Sequence, residues 1–440
     1  MNFINLLIYT IAGTLIASMV SIIPGLHIYN VAGIILVFSV TFKNIIPTNI
    51  LPVFIMSMIV TYSFLNTIPS VFLGAPDDST IFVVLPGQKY MLEGRGYEAS
   101  VITSIGGVIG ILLLVLATPF SFYVFPKVIR ILSPHMFWIL GLILVYMVMT
   151  EWSNGMKRAK TRFGKFFGAW KSLAAGILTL ILSGFLGIII MNKSLLHLKI
   201  SFQRVMPAFI GLFAIPLIIT NIISKIEIPA QHISESINLD GSLIARGSAA
   251  GFLGGIFAAL FPIVTGGVGG LLAGYATAQR DERIFVLSQG VSKTVYYVGA
   301  FLLFFVPTLH ITRGELAWML TPLYTPHSAN DYWIALGTML ISAALAFILS
   351  LFYSQLVIRL IEHINYRLIS LVVLFILVII IFLLTGPIGI LIMIVGTSIG
   401  FIPVMFNSRR MNCIGVLLIP IILNMAGLGP KILKFLGLLK

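Results

Sequence analysis

Apolar residues run in long blocks from one end of the chain to the other, and polar positions fall between the blocks rather than alternating within them. The blocks predict helices over about 3–23, 28–42, 51–66, 99–125, 133–150, 170–191, 205–224, 246–262, 265–278, 285–307, 332–358, 368–384, 386–406 and 412–428. A helix needs ~20 mostly apolar residues to cross the hydrocarbon core of a bilayer. Many of the blocks reach that length. Several that do not, such as 28–42 and 265–278, sit beside Pro and Gly, which is how a helix broken part-way across a membrane looks in sequence. The pattern predicts an all-α polytopic membrane protein with about 10–14 membrane segments, including broken or re-entrant helices.

Composition sharpens this picture. Of 440 residues, 59% are hydrophobic and only 9% are charged, against about 25% charged in soluble proteins. Lipid is therefore the main solvent. The opening, MNFINLLIYT, lacks a basic region or a small-residue cleavage site, so the first block is expected to be a retained helix and not a removed signal peptide. The 27 Lys and Arg outnumber the 13 Asp and Glu. They lie mostly in short loops, where they set topology and meet anionic membrane lipid, and nucleic acid is not an expected partner. Cys413 is the single cysteine, which excludes an intrachain disulfide or a cysteine-built metal site. No HExxH, GxxxxGK[ST] or GxSxG pattern occurs, so catalytic residues, a bound metal and a cofactor are not expected.

Charge also orders the chain. Residues 151–171 carry Lys157, Arg158, Lys160, Arg162, Lys165 and Lys171 against Glu151, and the positive-inside rule makes this stretch a cytoplasmic loop. No Lys or Arg precedes Lys43, which places the N-terminus outside. An internal echo links AGTLIASMVSIIP, ending at Pro24, with AGFLGGIFAALFP, ending at Pro262. Ile81-Phe82-Val83 with Gly87 likewise echoes Ile284-Phe285-Val286 with Gly290. Crossing counts put Gly13 outside and Gly251 inside, so the two halves form an inverted repeat. The expected organisation is a first transmembrane half at 1–150, the basic loop at 151–171, connecting transmembrane helices at 172–245, and a second half at 246–440.

Three places carry candidate chemistry. Pro24-Gly25-Leu26-His27 lies where a helix should be crossing. Proline removes an amide donor and glycine relaxes the backbone, so the motif is either a packed kink or a true break whose freed amides receive an anion. Asp77-Asp78-Ser79-Thr80 follows Pro76 between apolar stretches. Its carboxylates and hydroxyls suit Na⁺ or a proton at membrane depth, and they suit a helix cap equally well. In the second half Pro262 precedes Gly266-Gly267, and Ser292-Lys293 interrupts an apolar block. Lys293 is either a counter-charge to an anion or a snorkelling anchor. The substrate-binding candidates are accordingly Pro24, Gly25, His27, Gly266, Gly267, Ser292 and Lys293, and the ion-coupling candidates are Asp77, Asp78, Ser79 and Thr80.

Taken together, Pro24-Gly25-Leu26, the GAP…LPG…EGRGYEA block from Gly74 to Ala99, the run Ser288–Lys293 and the Gly-rich tail Gly396–Pro403 resemble the TctA family, the large membrane subunit of tripartite tricarboxylate transporters. The likeness covers most of the chain in layout and is specific over about 74–99. Asp77 stands where the family favours glycine, His27 where it favours a small residue, and Pro262-Ile263 where it has a second Pro-Gly. This is the look of a divergent, archaeal branch. The resemblance implies a permease in the cytoplasmic membrane that moves an organic anion such as a di- or tricarboxylate, coupled to Na⁺ or H⁺, with a solute-binding protein and a small membrane subunit as partners. A broken Pro-Gly helix is also similar to polyprenyl-phosphate translocases, which keeps a flippase for a lipid phosphate as the alternative. A lipid-acting membrane enzyme would need a clustered His, Asp or Glu set, and only Asp77-Asp78 approaches one.

The charge reading has a direct test. A cysteine introduced by Ser153→Cys should stay unlabelled by an impermeant thiol reagent in intact cells and react once the membrane is opened. Labelling in intact cells would reverse the assigned orientation.

Overall fold

The structure, a computed structural model, describes residues 3–41, 46–77, 79–80, 82–156, 161–193, 195, 205–224, 228–234, 236–261, 264–277, 281–307, 309 and 315–438. Every apolar block predicted above is helical over most of its length. The first stretch of chain holds α1 (Phe3–Ser21), α2 (Ile28–Thr41), α3 (Leu51–Leu65), α4 (Thr67–Phe72), α5 (Val84–Leu92) and α6 (Gly96–Leu116). It is followed by α7 (Met136–Met156), α8 (Arg162–Asn192) and α9 (Met206–Ser224). Then come α10 (Gly241–Leu260), α11 (Gly266–Ala276), α12 (Glu282–Leu302) and α13 (Ala329–His363). The chain closes with α14 (Tyr366–Phe406, bent at Gly386), α15 (Gly415–Met425) and α16 (Gly429–Phe435). Among the described residues nine helices are long and apolar enough to cross a membrane, and 410–425 with α16 forms a further pair bent by 112°. The chain is a multi-pass membrane protein.

Packing gathers the chain into two compact units, Met1–Ile129 with Ser224–Val373, and Arg130–Ile223 with Leu374–Lys440. These seams follow contact, whereas the boundaries at 150, 171 and 245 followed sidedness and the sequence echo.

The first unit is built around α12, which is buried along nearly its whole length despite carrying Gln289, Ser292, Lys293 and Thr294. Its neighbours approach until backbones touch. A Cβ at Gly290 would lie 2.2 Å from the Thr103 carbonyl oxygen on α6, and one at Gly251 of α10 would lie 2.5 Å from that of Ser288. Lipid tails are as apolar as leucine, so membrane helices gain by close backbone packing and by shared polar groups rather than by hiding oily surface. Polar sharing occurs where α13 meets α6. The Ser100 and Ser354 hydroxyls are 2.6 Å apart, and Ser350 donates to Ser104 at 3.0 Å.

The echo has a structural counterpart in part. Gly13 of α1 packs on Phe54 and Ser57 of α3, as Gly251 of α10 packs on α12. Each half thus runs helix, interruption, short helix, and then a helix packed on the first. The second echo pairs unlike places, because Gly87 lies in α5 against Val71 whereas Gly290 lies in mid-α12. The first interruption is made by Pro24, which has no amide to donate, and by Gly25, whose φ of 74° only glycine adopts freely. In the second, α10 stops at Leu260 and α11 starts at Gly266, capped by the Thr265 side chain. Pro262 and Ile263 themselves lie outside the described residues.

In the second unit the stretch 151–171 is less of a loop than expected. Helix α7 continues to Met156 and α8 begins at Arg162, so the segment is helical at both ends. Lys157, Arg158 and Lys160 lie outside the described residues. Exposed Arg162 and Lys165 alternate with exposed Phe163, Phe166, Phe167 and Trp170, the mixture that settles at a membrane–water interface. Glu151 is not a surface charge. It is buried and accepts hydrogen bonds from Ser172 Oγ, Arg409 N and Asn412 Nδ2 at 2.7–2.9 Å.

The close packing on α12 yields a testable contrast. Gly290→Val should push α6 off α12 and lower the melting temperature, at a cost of about 1–3 kcal/mol for overpacking. Gly141→Ala, where an added methyl meets nothing within 4 Å, should be silent in the same thermal unfolding series. Equal melting of the two variants would contradict the packing described.

Candidate substrate and ion site

Gln289, Lys293 and Tyr297 recur every fourth residue of α12 and therefore share one face. Lys293 is the twelfth of 21 residues, about 15 Å from either end at 1.5 Å per residue, and is 1% exposed. A cation at that depth must find partners in protein or water. Its Nζ donates to Asn66 Oδ1 at 2.7 Å and to Thr67 Oγ1. Asn66 stands where α3 gives way to α4, and its amide nitrogen donates to Asp77 Oδ2 at 2.7 Å and to Ser79 Oγ at 3.2 Å. One amide thus receives the cation on its oxygen and serves the anion with its nitrogen. An ammonium has three N–H groups. The third on Lys293 has no acceptor among the described residues.

Asp77 lies in the turn after Pro76, and its carboxylate is thickly supplied with donors. Oδ1 accepts from Ser79 N and Oγ at 3.0 and 2.9 Å, and from Thr80 N and Oγ1 at 2.8 and 2.7 Å. Oδ2 accepts from Tyr62 Oη at 2.8 Å, Asn66 Nδ2 at 2.7 Å and Tyr297 Oη at 3.2 Å. Thr80 Oγ1 in turn accepts from Ser70 Oγ and from Asp77 N. Asp77 thus caps its own turn and, through Asn66, also answers the buried lysine. Asp78 lies outside the described residues.

Both helix interruptions open onto this network. His27 ends the first. Its Nδ1 accepts from Tyr29 N at 3.2 Å, and its Nε2 is 3.0 Å from Tyr297 Oη. Pro24 and Gly25 add no side-chain group to the cluster, and their part is to stop α1 so that His27 comes round to it. At the second interruption Ser292 Oγ donates to the Gly266 carbonyl at 2.7 Å. A Cβ at Gly266 would lie 2.6 Å from Lys293 Cα, and one at Gly267 would lie 2.7 Å from the Ser79 carbonyl oxygen, so larger residues would displace α11 from the site. The first-turn amides of Gly266 and Gly267 have no acceptor among the described residues. Gln289 is fully buried, and neither its amide nitrogen nor its oxygen has a partner there. Gln289 stands one turn before Lys293 on α12 and Gly266 packs on the Lys293 backbone, so unmet donors of three kinds lie on adjoining turns, an arrangement fit to receive an oxyanion. No group of three His, Cys, Asp or Glu among the described residues could hold a metal ion.

Five participants were not among the sequence candidates: Tyr62, Asn66, Thr67, Gln289 and Tyr297. The four-residue spacing of Gln289, Lys293 and Tyr297 was a readable signal. Asn66 and Thr67 gave a weaker one, as a polar pair inside a span, Leu51–Phe72, that is buried throughout.

The sequence model of the tripartite tricarboxylate transporter TctA family matches residues 7–415. An uncharacterized protein of the archaeon Methanocaldococcus jannaschii is 27% identical over 437 residues, covering 95% of this chain and 98% of its own length. No solved structure matches.

The linkage through Asn66 predicts how charge removal behaves. Asp77→Asn keeps one oxygen for the turn but sets a donating NH₂ against the donors on the other side, and it strips Lys293 of its counter-charge. Breaking a buried charge pair costs about 3–5 kcal/mol, whereas removing both charges costs far less. Asp77→Asn and Lys293→Gln should each lower the melting temperature, and the double variant should melt above the sum of the two losses. Strict additivity would show that the two charges are not linked.

Proposed function

The chain belongs to the TctA family of tripartite tricarboxylate transporters, and on that footing we propose that it is a secondary transporter carrying a di- or tricarboxylate across the cytoplasmic membrane, coupled to Na⁺ or H⁺. The observation that carries this reading is Lys293, a cation buried at mid-helix with one N–H unmatched. Beside it lie the amides of Gly266 and Gly267 and the unpaired Gln289 side chain. A carboxylate entering here would meet the ammonium, the N-terminal end of α11 and an amide donor, and would satisfy groups that are otherwise costly to bury. Ser292 would hold α11 in register through the Gly266 carbonyl. Proteins of this family are the large subunits of tripartite systems that work with a binding protein and a small membrane subunit. In this reading a solute-binding protein would deliver the anion to the outer opening, with the small subunit alongside.

Thermal-shift measurements on the purified protein test the substrate class. At a hundredfold excess over Kd a ligand stabilises the folded state by about 2.7 kcal/mol. Citrate or succinate should therefore raise the melting temperature by a few degrees in wild type and not in Lys293→Gln. Stabilisation by polyprenyl phosphate and by no carboxylate would replace this reading with a lipid-phosphate translocase.

A further inference from the structure

We infer that His27 takes up and gives back a coupling proton, with the Tyr297 hydroxyl joining it to Asp77, so that the co-transported cation is H⁺ and not Na⁺. The inference rests on the transporter reading above and deepens it.

Asp77 argues against Na⁺. A carboxylate has about four lone-pair positions, and its two oxygens already receive seven protein donors, two of them backbone amides that cannot turn away. A sodium ion needs acceptor oxygens, and the Ser79 and Thr80 hydroxyls point their protons at Asp77. The site is built around a satisfied anion rather than around an open oxygen cage.

His27 argues for a proton. Imidazole is the side chain that changes charge between pH 5 and 8 in ordinary surroundings. Because Nδ1 accepts the Tyr29 amide proton, the neutral ring carries its own proton on Nε2 and donates it to Tyr297, which donates to Asp77. His27 is also the residue before α2, so this Nδ1 contact caps the helix. A proton arriving on Nδ1 makes an imidazolium and abolishes that acceptor. Two things follow together. The recess becomes more positive by one charge, and the Tyr29 amide at the N-terminal end of α2 is freed to face an anion. Both tighten the hold on a carboxylate, and by reciprocity the bound carboxylate tightens the hold on the proton. The proton can also pass inward. His27 gives its Nε2 proton to Tyr297 Oη while Tyr297 gives its own to Asp77 Oδ2, leaving a neutral ring, an intact phenol and a neutral acid.

Several groups among the described residues face His27. Helix α2 contributes Tyr29, α3 contributes Tyr62, the turn after Pro76 contributes Asp77, and α12 contributes Tyr297 and, through Asn66, Lys293. Asp78 lies outside the described residues. Whatever charge it adds, protonation of His27 still raises the total by one.

The test uses the full chain in proteoliposomes free of Na⁺, with a pH dye inside and citrate and succinate as probes. Wild type should acidify the lumen as the anion enters. The ratio of protons to anions should fall to zero in His27→Asn, whatever rate remains, because asparagine still caps α2 but does not titrate. His27→Gln serves the same comparison if the first variant is unstable. An unchanged ratio in these variants would overturn the inference. So would anion uptake that requires Na⁺ and moves no protons, and that result would leave the transporter reading standing. Failure to transport either probe, with or without a solute-binding protein and small subunit supplied, would remove the transporter reading and this inference with it.

Discussion

A positive charge half-way along a buried membrane helix has to be answered, and the answer given to Lys293 organises the first unit. Asp77 does not touch the ammonium. The two are joined by Asn66, whose oxygen takes one and whose nitrogen serves the other. That requires Asn66 to stand at the junction of α3 and α4, where the helix has shifted enough for its side chain to reach both. It requires the turn after Pro76 to fold back under α3. It also requires α12 to be fixed closely, which the bare backbones at Gly290 and Gly251 accomplish. Lys293, Asn66, Thr67, Asp77, Ser79, Thr80, Tyr62, Tyr297 and His27 therefore form one connected assembly.

The two interruptions answer a second constraint. In hydrocarbon a helix end that faces lipid exposes amides and carbonyls with no partner, at several kcal/mol each. Both ends here turn instead toward the polar assembly. They are finished differently. At the first, a titratable ring caps α2. At the second, a threonine caps α11, and a serine on α12 ties down its first carbonyl. The amides of Gly266 and Gly267 and the Gln289 side chain remain without acceptors. Buried polar groups are nearly always satisfied, and in the proposed reading a bound carboxylate would satisfy these.

How much of this the sequence disclosed follows from what constrains it. Membrane helices must satisfy their backbones internally and must be long and apolar, so nearly every crossing was legible as a block. The short elements were not, because α4 and α5 are held by tertiary contact and carry Pro69 and Lys89 inside them. Glu151 was misjudged for a related reason. Its neighbours in sequence are basic and solvated, while its partners, Ser172, Arg409 and Asn412, come from other helices. Lys293 and Asp77 stood out because charge is rare in such a chain. Asn66 did not, since an amide in an apolar block is unremarkable until the charges on either side of it are known.

On the proposed reading, binding and coupling would be carried by different residues that meet at one carboxylate. In the proposed reading Lys293, Asn66 and the amides of α11 would supply the positive character that suits an anion. His27 would supply a variable charge beside it, joined to Asp77 by the Tyr297 hydroxyl. Asp77 belongs to both sets, accepting from Asn66 on behalf of the lysine and from Tyr297 on behalf of the histidine, on the same oxygen. A proton delivered to that oxygen would weaken its claim on the Asn66 amide and so loosen the lysine for an anion, and an anion taken by the lysine would in turn favour that proton. The histidine sits outside the lysine–asparagine–aspartate chain and caps a helix that an asparagine could also cap. Position 27 could therefore change in a related chain, altering what drives transport, without dismantling the machinery that holds the buried charge.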